Sequence, residues 1–254
     1  MFTSLFSRSP GRQWRQPFEV LRAKWHEVPA GEPQRRSTRD LVSASDGDLA
    51  VIWEHCHEQQ TADYSIRGWY HALYRDVLRG KRVLDVGSGF GIDALSFAKA
   101  GADVTCADVV PSNLELLERL ARHQGIANIR FHYLETLQSL QQLPADFDVM
   151  WCQGSMHHAP EHVLKEETTE LLRHLRPNGR WIQLAYPKAR WEREGRRSFE
   201  TWGDCTDGGA PWTEWYDLDK VLALLAPARF ETILNLEFHN RDFIWFDLQR
   251  IGEE

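Results

Sequence analysis

Three glycines that follow a short apolar segment have the spacing of a cofactor-binding turn. Residues 83–86 form an apolar run interrupted only by Asp85, which is typical of a strand buried on both faces of a parallel sheet. Gly87, Gly89 and Gly91 follow this run. Glycine tolerates positive φ and has no Cβ, so the backbone of such a turn can approach a ligand closely at the start of the next helix. The segment therefore predicts a nucleotide-type cofactor site.

Two other nucleotide-binding motifs fit this turn poorly. A dinucleotide fingerprint requires Gly or Ala one position after Gly91, where the chain has Ile92, and that residue hinders the close helix packing of the motif. A phosphate-binding P-loop requires Gly-Lys-Ser/Thr, which does not follow here. These differences disfavour both an NAD(P) oxidoreductase and a P-loop protein.

An acidic residue ends the next predicted strand, which covers residues 103–108. In dinucleotide-binding folds an acidic side chain about twenty residues after the glycine turn hydrogen-bonds the ribose hydroxyls. Asp108 stands at that place, and Val109 would then lie against the base. The alternative is that Asp108 only supplies a negative charge to the start of the helix that opens at Pro111.

Two adjacent histidines follow the predicted fourth strand, residues 147–153. In an open α/β sheet the ligand binds beyond the carboxyl ends of the strands, so His157 and His158 are expected near the glycine turn. A histidine titrates near neutral pH and is suited to general-base catalysis. One of the two can instead have a structural role, with its ring hydrogen-bonded to a backbone carbonyl.

Residues 81–186 resemble the class I S-adenosylmethionine-dependent methyltransferases. The resemblance rests on the pattern Asp85-x-Gly87-x-Gly89-x-Gly91, on Asp108, on the loop from Gly154 to His158, and on the turn at residues 176–179. It implies a Rossmann-like α/β fold, with a seven-stranded, mostly parallel sheet, an antiparallel last strand and an N-terminal helical lid. It also implies a small-molecule methyltransferase that uses S-adenosyl-L-methionine and releases S-adenosyl-L-homocysteine.

The resemblance implies a set of site residues. Glu135, at the end of the predicted third strand, is the expected contact of the adenine amino group, although it could equally be a solvated carboxylate at a helix start. His157 and His158 are the catalytic candidates, and no metal-ligand set is predicted. The predicted cofactor-binding residues are Asp85, Gly87, Ser88, Gly89, Gly91, Asp108, Val109, Glu135, Gln153 and Gly154.

A tryptophan-rich segment, residues 187–216, shows no regular pattern and follows the predicted fifth strand. Long irregular segments inside a domain are usually functional, and aromatic rings with carboxylates can bind an amine or stack on a ring. The alternative is an aromatic cap that only packs on the sheet. The predicted substrate-binding residues are Tyr64, Trp69, Tyr186, Trp191, Trp212, Glu214 and Tyr216.

The chain divides into four predicted segments. Residues 1–78 form a tail and a helical cap, with helices at 18–25, 46–58 and 65–78, and residues 79–186 form the S-adenosylmethionine-binding core. Residues 187–216 form an insertion that covers the substrate. Residues 217–254 form a helix and a β-hairpin that completes the sheet, with strands at 230–238 and 243–251.

Composition limits the partners of this 254-residue chain. Its net charge of −7 disfavours nucleic acid as a partner. The sequence has no apolar run long enough to predict membrane insertion. The four cysteines are scattered, as in a protein of the reducing cytoplasm. We expect a cytoplasmic monomer or homodimer that methylates a nitrogen or oxygen of a natural product or other metabolite. The alternatives are a saccharide O-methyltransferase and a non-catalytic domain that binds a cofactor or partner protein.

Overall fold

A mixed β-sheet forms the centre of the fold, with helices on both faces. The computed structural model describes residues 10–27, 36, 38–206 and 208–253. The strand order is β3-β2-β1-β4-β5-β8-β7, and β6 pairs with β5 at the side. The strands are β1 (Arg82–Val86), β2 (Asp103–Asp108), β3 (Ile129–Tyr133), β4 (Phe147–Gln153), β5 (Leu175–Pro187), β6 (Trp215–Tyr216), β7 (Ala228–Phe238) and β8 (Phe243–Glu253).

The helices cover the two faces of the sheet and bury an apolar core on each. Val83 and Trp151 belong to one core, and Leu84 and Phe246 belong to the other. None of the described helices has the length and apolar character needed to cross a membrane. The helices are α1 (Pro10–Glu27), α2 (Thr38–Val42), α3 (Asp46–Thr61), α4 (Gly68–Val77), α5 (Ile92–Lys99), α6 (Pro111–His123), the 3₁₀ helix η1 (Leu137–Gln142), α7 (Glu161–His174), α8 (Lys188–Arg193), α9 (Gly203–Thr206) and α10 (Leu218–Leu225).

The predicted fold class is confirmed. Strands β1 to β5 pair in parallel, whereas β8 runs antiparallel to both β5 and β7 and lies between them. The predicted hairpin turn at Asn240 is present, with positive φ at residues 239–241. The predicted count of seven strands omits β6, a two-residue strand that pairs with Tyr186 and Pro187.

Three sequence predictions about local structure were wrong. The first helix, predicted at 18–25, spans Pro10–Glu27 and so includes the end of the predicted tail, residues 1–15. Residues 1–9 of that tail lie outside the described residues. The segment 187–216 contains α8, α9 and β6 rather than only irregular chain. The predicted turn at 176–179 is a bulge within β5, since the pairing of β5 with β4 shifts there and Asn178 has a φ of 61°. Tertiary pairing overrides the local turn signal in that bulge.

Candidate functional site

The glycine turn lies at the carboxyl end of β1, where two neighbours approach it so closely that a side chain would collide with them. Gly87 has a φ of +77°, and a Cβ there would lie 2.6 Å from the Cβ of Ser155, in the loop after β4. Gly91 has a φ of +69°, and its Cβ would lie 1.9 Å from Cδ2 of Leu117 on α6. Both positions therefore require glycine for conformation and for space.

Asp108 ends the adjacent strand β2 and holds the same turn. Its Oδ2 accepts a hydrogen bond from the backbone N–H of Gly89 at 2.9 Å, and its Oδ1 accepts one from Val110 at 2.7 Å. Burial raises the pKa of Asp108 to about 6, although these backbone donors oppose that rise. Nδ2 of Asn113 also approaches both oxygens, at the long distance of 3.5 Å. Because a carboxylate oxygen has two lone pairs, a ligand hydroxyl can replace Asn113 as the second donor to each oxygen.

A cleft opens between the glycine turn and the loop after β4. It has a volume of about 110 Å³ and is open to solvent. We call it the main cleft. Its lining residues are Phe18, Leu21, Trp25, Val86, Gly87, Gly89, Asp108, Val109, Asn113, Leu134, Gln153, Gly154, Ser155, Met156, His158, Ala159 and Glu167.

Helix α1 covers one side of the main cleft and is tied to the loops after β2 and β3. Arg22 donates from Nε to the carbonyl of Val109 and from Nη2 to the carbonyl of Glu135, both at 3.0 Å. One turn further along α1, the ring of Trp25 lies 5.2 Å from the ring of His158. The helix therefore acts as a lid between the glycine turn and the histidine loop.

The two histidines are buried next to each other, with ring centroids 4.1 Å apart, but only His158 lines the main cleft. Nδ1 of His158 lies 2.9 Å from the carbonyl of Trp212. A carbonyl can only accept, so Nδ1 carries the proton, and in the neutral ring the lone pair is on Nε2. His157 has no hydrogen-bond partner for either ring nitrogen among the described residues. Burial and then His158 lower its pKa well below the usual range, so its ring is neutral.

The sequence of residues 83–179 matches the family model described as a methyltransferase domain. This chain contains a methyltransferase domain. The match covers the glycine turn, Asp108 and both histidines, and it confirms the resemblance inferred from the sequence.

A methyltransferase from another organism has a similar sequence over part of its length. The mitochondrial ubiquinone biosynthesis O-methyltransferase of Schizosaccharomyces pombe is 32% identical over 108 residues, which are 42% of this chain and 39% of that protein. The matched segment thus spans well under half the length of that relative.

Two solved methyltransferases share the fold. Magnesium protoporphyrin IX methyltransferase from Synechocystis PCC 6803, with bound S-adenosylhomocysteine (SAH), has 18% identity and a TM-score of 0.60 over 92% of this chain and 99% of that one. The 1,6-didemethyltoxoflavin-N1-methyltransferase of Burkholderia thailandensis, also with bound SAH, has 18% identity and a TM-score of 0.54 over 82% and 87% of the two chains. At this identity the likeness establishes the fold alone.

A buried ionic cluster supports the methyltransferase domain behind the glycine turn. Asp93, two residues after Gly91, accepts hydrogen bonds from Arg67 Nη1 at 2.6 Å and Trp151 Nε1 at 3.1 Å, and it lies 2.6 Å from His71 Nε2. Burial opposes ionisation of Asp93, but Arg67 and His71 hold its pKa well below the usual range. The cluster therefore ties helix α4 to the first turn of α5.

Of the predicted cofactor-binding residues, the structure places six on the main cleft and four away from it. Asp85 is buried behind the turn, where burial and then Asp93 raise its pKa well above the usual range, and Ser88 Oγ donates to the carbonyl of Asp85 at 3.0 Å. Gly91 packs on α6, and Glu135 has an exposed side chain. The six on the cleft are Gly87, Gly89, Asp108, Val109, Gln153 and Gly154.

The predicted substrate-binding residues are not brought together at the main cleft. Tyr64 is 95% exposed, and Trp69 packs on Trp245 with ring centroids 5.0 Å apart. Trp191 stacks on Trp215 at 5.6 Å. The others lie around the histidines or in the core: Tyr186 4.8 Å from the ring of His157, Trp212 with its carbonyl on His158, Glu214 with its N–H donating to the carbonyl of His157, and Tyr216 in the core.

Sequence reasoning missed several residues of the main cleft. Asn113 donates towards both oxygens of Asp108, at 3.5 Å, and Leu134 takes the place expected for Glu135. Glu167 lies on α7 at the fourth position after Val163 and before Leu171. That spacing puts a carboxylate on the buried stripe of a helix. It is the one signal in the sequence that could have identified Glu167 as a residue of the site.

Proposed function

We propose that this protein transfers a methyl group from S-adenosylmethionine to a nitrogen or oxygen of a small molecule. The observation that carries the proposal is the main cleft, which lies between the glycine turn and His158 of the matched domain and is covered on one side by α1. Its polar groups fit such a ligand. Both amide atoms of Gln153 and the hydroxyl of Ser155 are buried without a partner among the described residues, and buried polar groups normally have one.

Asp108 and the apolar side chains beside it would hold the adenosine. The ribose hydroxyls would replace Asn113, whose amide is 3.5 Å from both carboxylate oxygens, and Val109, Leu134 and Met156 line the adjoining wall. The turn at Gly87 would face the methionine half, where the approach of Ser155 leaves room only for backbone. Bound S-adenosylmethionine supplies an electrophilic methyl group, so the protein mainly has to align the acceptor with it.

His158 is the proposed general base. The carbonyl of Trp212 fixes its proton on Nδ1 and directs the lone pair to Nε2. His157 is proposed to support it, since the rings are 4.1 Å apart. A base is needed if the acceptor is a hydroxyl, and the relative from S. pombe, named an O-methyltransferase, favours oxygen. Of the seven predicted substrate-binding residues, we retain that role for the three that contact His157 or His158, which are Tyr186, Trp212 and Glu214.

The remaining sequence predictions stay proposals. The described cysteines are all free thiols, which supports a reducing compartment such as the cytoplasm. We also retain the four-segment division of the chain, action on a natural product or other metabolite, a monomeric or homodimeric state, and independence from nucleic acid and membranes.

Calorimetric titration with SAH tests the cofactor assignment. We expect Asp108→Asn to weaken binding by about tenfold or more, because a hydrogen bond to a charged group is worth about 1.5–3 kcal/mol. Asp103→Asn is the matched control on the same strand, since that partly exposed residue forms an ion pair with Arg130. An unmodified chain with no affinity for SAH would refute the proposal. Transfer of a labelled methyl group to a panel of phenols, amines and sugars then identifies the acceptor.

A further inference from the structure

Glu167 is a carboxylate in the wall of the main cleft that the proposed mechanism does not use. It lies on the buried face of α7, between Val163 and Leu171, which are both fully buried. Its own side chain is partly exposed, and it lines the main cleft together with Leu134 and Phe18. The chain therefore places an acidic group between two buried apolar residues of α7.

No described residue balances the charge of Glu167. The structure contains no hydrogen bond or ion pair to it among the described side chains. Burial alone raises its pKa to about 7. An isolated carboxyl group in apolar surroundings costs free energy, and such groups cluster at functional sites. A ligand donor in the main cleft would supply the missing partner.

Glu167 is close enough to β4 to interact electrostatically with a residue beside the main cleft. Burial raises the pKa of the Cys152 thiol, and Glu167 is the largest electrostatic contribution after it. Cys152 directly precedes Gln153, which lines the cleft. Glu167 therefore lies on the α7 side of the cleft, near β4.

Of the described residues that line the main cleft, only Asp108 and Glu167 have carboxylates. Asp108 is already engaged with the backbone of the glycine turn and is assigned to the ribose. Glu135 has an exposed side chain, and its carbonyl accepts from Arg22. An adenine base that extends from Asp108 past Val109 and Leu134 would thus have one acidic side chain left as an acceptor for its amino group, Glu167.

We propose that Glu167 recognises the exocyclic amino group of the cofactor's adenine, the role that the sequence indicated for Glu135. The inference rests on the proposed function, because it assumes that S-adenosylmethionine occupies the main cleft. A carboxyl oxygen accepts a hydrogen bond from an amino group whether the carboxyl is ionised or protonated. The contact would distinguish adenine from a purine without that amino group.

The test compares SAH with its analogue in which hydrogen replaces the 6-amino group. Calorimetry measures both dissociation constants for the unmodified chain, for Glu167→Leu, and for Glu166→Leu, an exposed neighbour on the same helix. We expect the unmodified chain and Glu166→Leu to prefer SAH by about tenfold, the worth of one such hydrogen bond. Glu167→Leu should reduce that preference to about one, while Glu167→Gln, which keeps an acceptor, should retain part of it.

The outcomes separate this inference from the proposed function. An unmodified chain that binds neither compound would refute both. A chain that binds SAH, with an unchanged preference in Glu167→Leu, would overturn only the role of Glu167. An effect of Glu167→Leu on the acceptor's KM, without a change in the SAH preference, would overturn it as well and would assign the carboxylate to the acceptor. Misfolding is not expected, because Glu167→Leu removes a partly exposed carboxyl group that has no described partner.

Discussion

Alanine substitutions at two glycines test how closely helix α6 packs on the glycine turn. Both substitutions have the same backbone conformational cost, but only one brings a new side chain into collision with a neighbour. Gly91 and Gly125 both have a φ of +69°. A Cβ at Gly91 would lie 1.9 Å from Cδ2 of Leu117, whereas a Cβ at Gly125 would have nothing within 4 Å. Leu117 is fully buried between α6 and the sheet, so it has no open space into which to move.

The two variants should therefore differ by the cost of that collision. The left-handed conformation costs a non-glycine residue about 1–2 kcal/mol, and both alanine variants bear this cost. Forcing an extra methyl group into a packed core costs a further 1–3 kcal/mol or so. We expect Gly125→Ala to lower the free energy of unfolding by about 1–2 kcal/mol, and Gly91→Ala by about 2–5 kcal/mol.

Urea unfolding followed by tryptophan fluorescence measures both values. Gly91→Ala should also weaken binding of SAH, because the collision moves the turn that lines the main cleft, whereas Gly125→Ala should leave it unchanged. Adding Leu117→Ala to Gly91→Ala should cost less than the sum of the two single changes, since each relieves the other. Equal destabilisation by Gly91→Ala and Gly125→Ala would refute the reasoning from the close approach of α6.

Three further predictions concern titratable groups. Burial raises the pKa of Asp108 to about 6, so its carboxylate becomes protonated and loses an acceptor as the pH drops below 6. We therefore expect the affinity for SAH to fall over that range when it is measured by calorimetry. An affinity that does not change with pH would contradict the ribose assignment. Arg67→Met should lower the free energy of unfolding by about 3–5 kcal/mol, because it removes the main counter-charge of buried Asp93, and urea unfolding tests this. His157→Phe should leave Tm unchanged or raised, because both ring nitrogens lack a described partner; a clearly lower Tm in thermal unfolding would count against it.

Local patterns in the sequence were sufficient for the elements of the core. The apolar run before the glycines, the helical period of residues 111–123 and the hairpin around Asn240 each follow from short-range rules about burial, caps and turns. The bulge in β5 did not follow from them. Residues 176–179 have the composition of a turn, but they form the bulge between two positions of β5 that pair with β4, Leu175 and Arg180.

The residues of the candidate site also divide into those that the sequence could predict and those that it could not. Gly87, Gly89 and Asp108 were predictable, because each lies within a few residues of a strand end, and the ends of parallel strands meet at one edge of the sheet. The aromatic residues of the insertion were not. Composition indicates that Trp191 and Tyr216 bury ring surface, but it does not indicate which surface. The structure stacks Trp191 on Trp215 and places Tyr216 in the core.

The sequence by itself determined the order of the elements, the glycine turn and the carboxylate on β2, since these depend on backbone conformation and on periodicity along the chain. Only the tertiary structure decided which acidic residue has access to the main cleft. Glu135 and Glu167 have the same side chain, but the loop after β3 turns one outward beside Arg22, while the buried face of α7 turns the other inward. That difference arises from packing between distant segments.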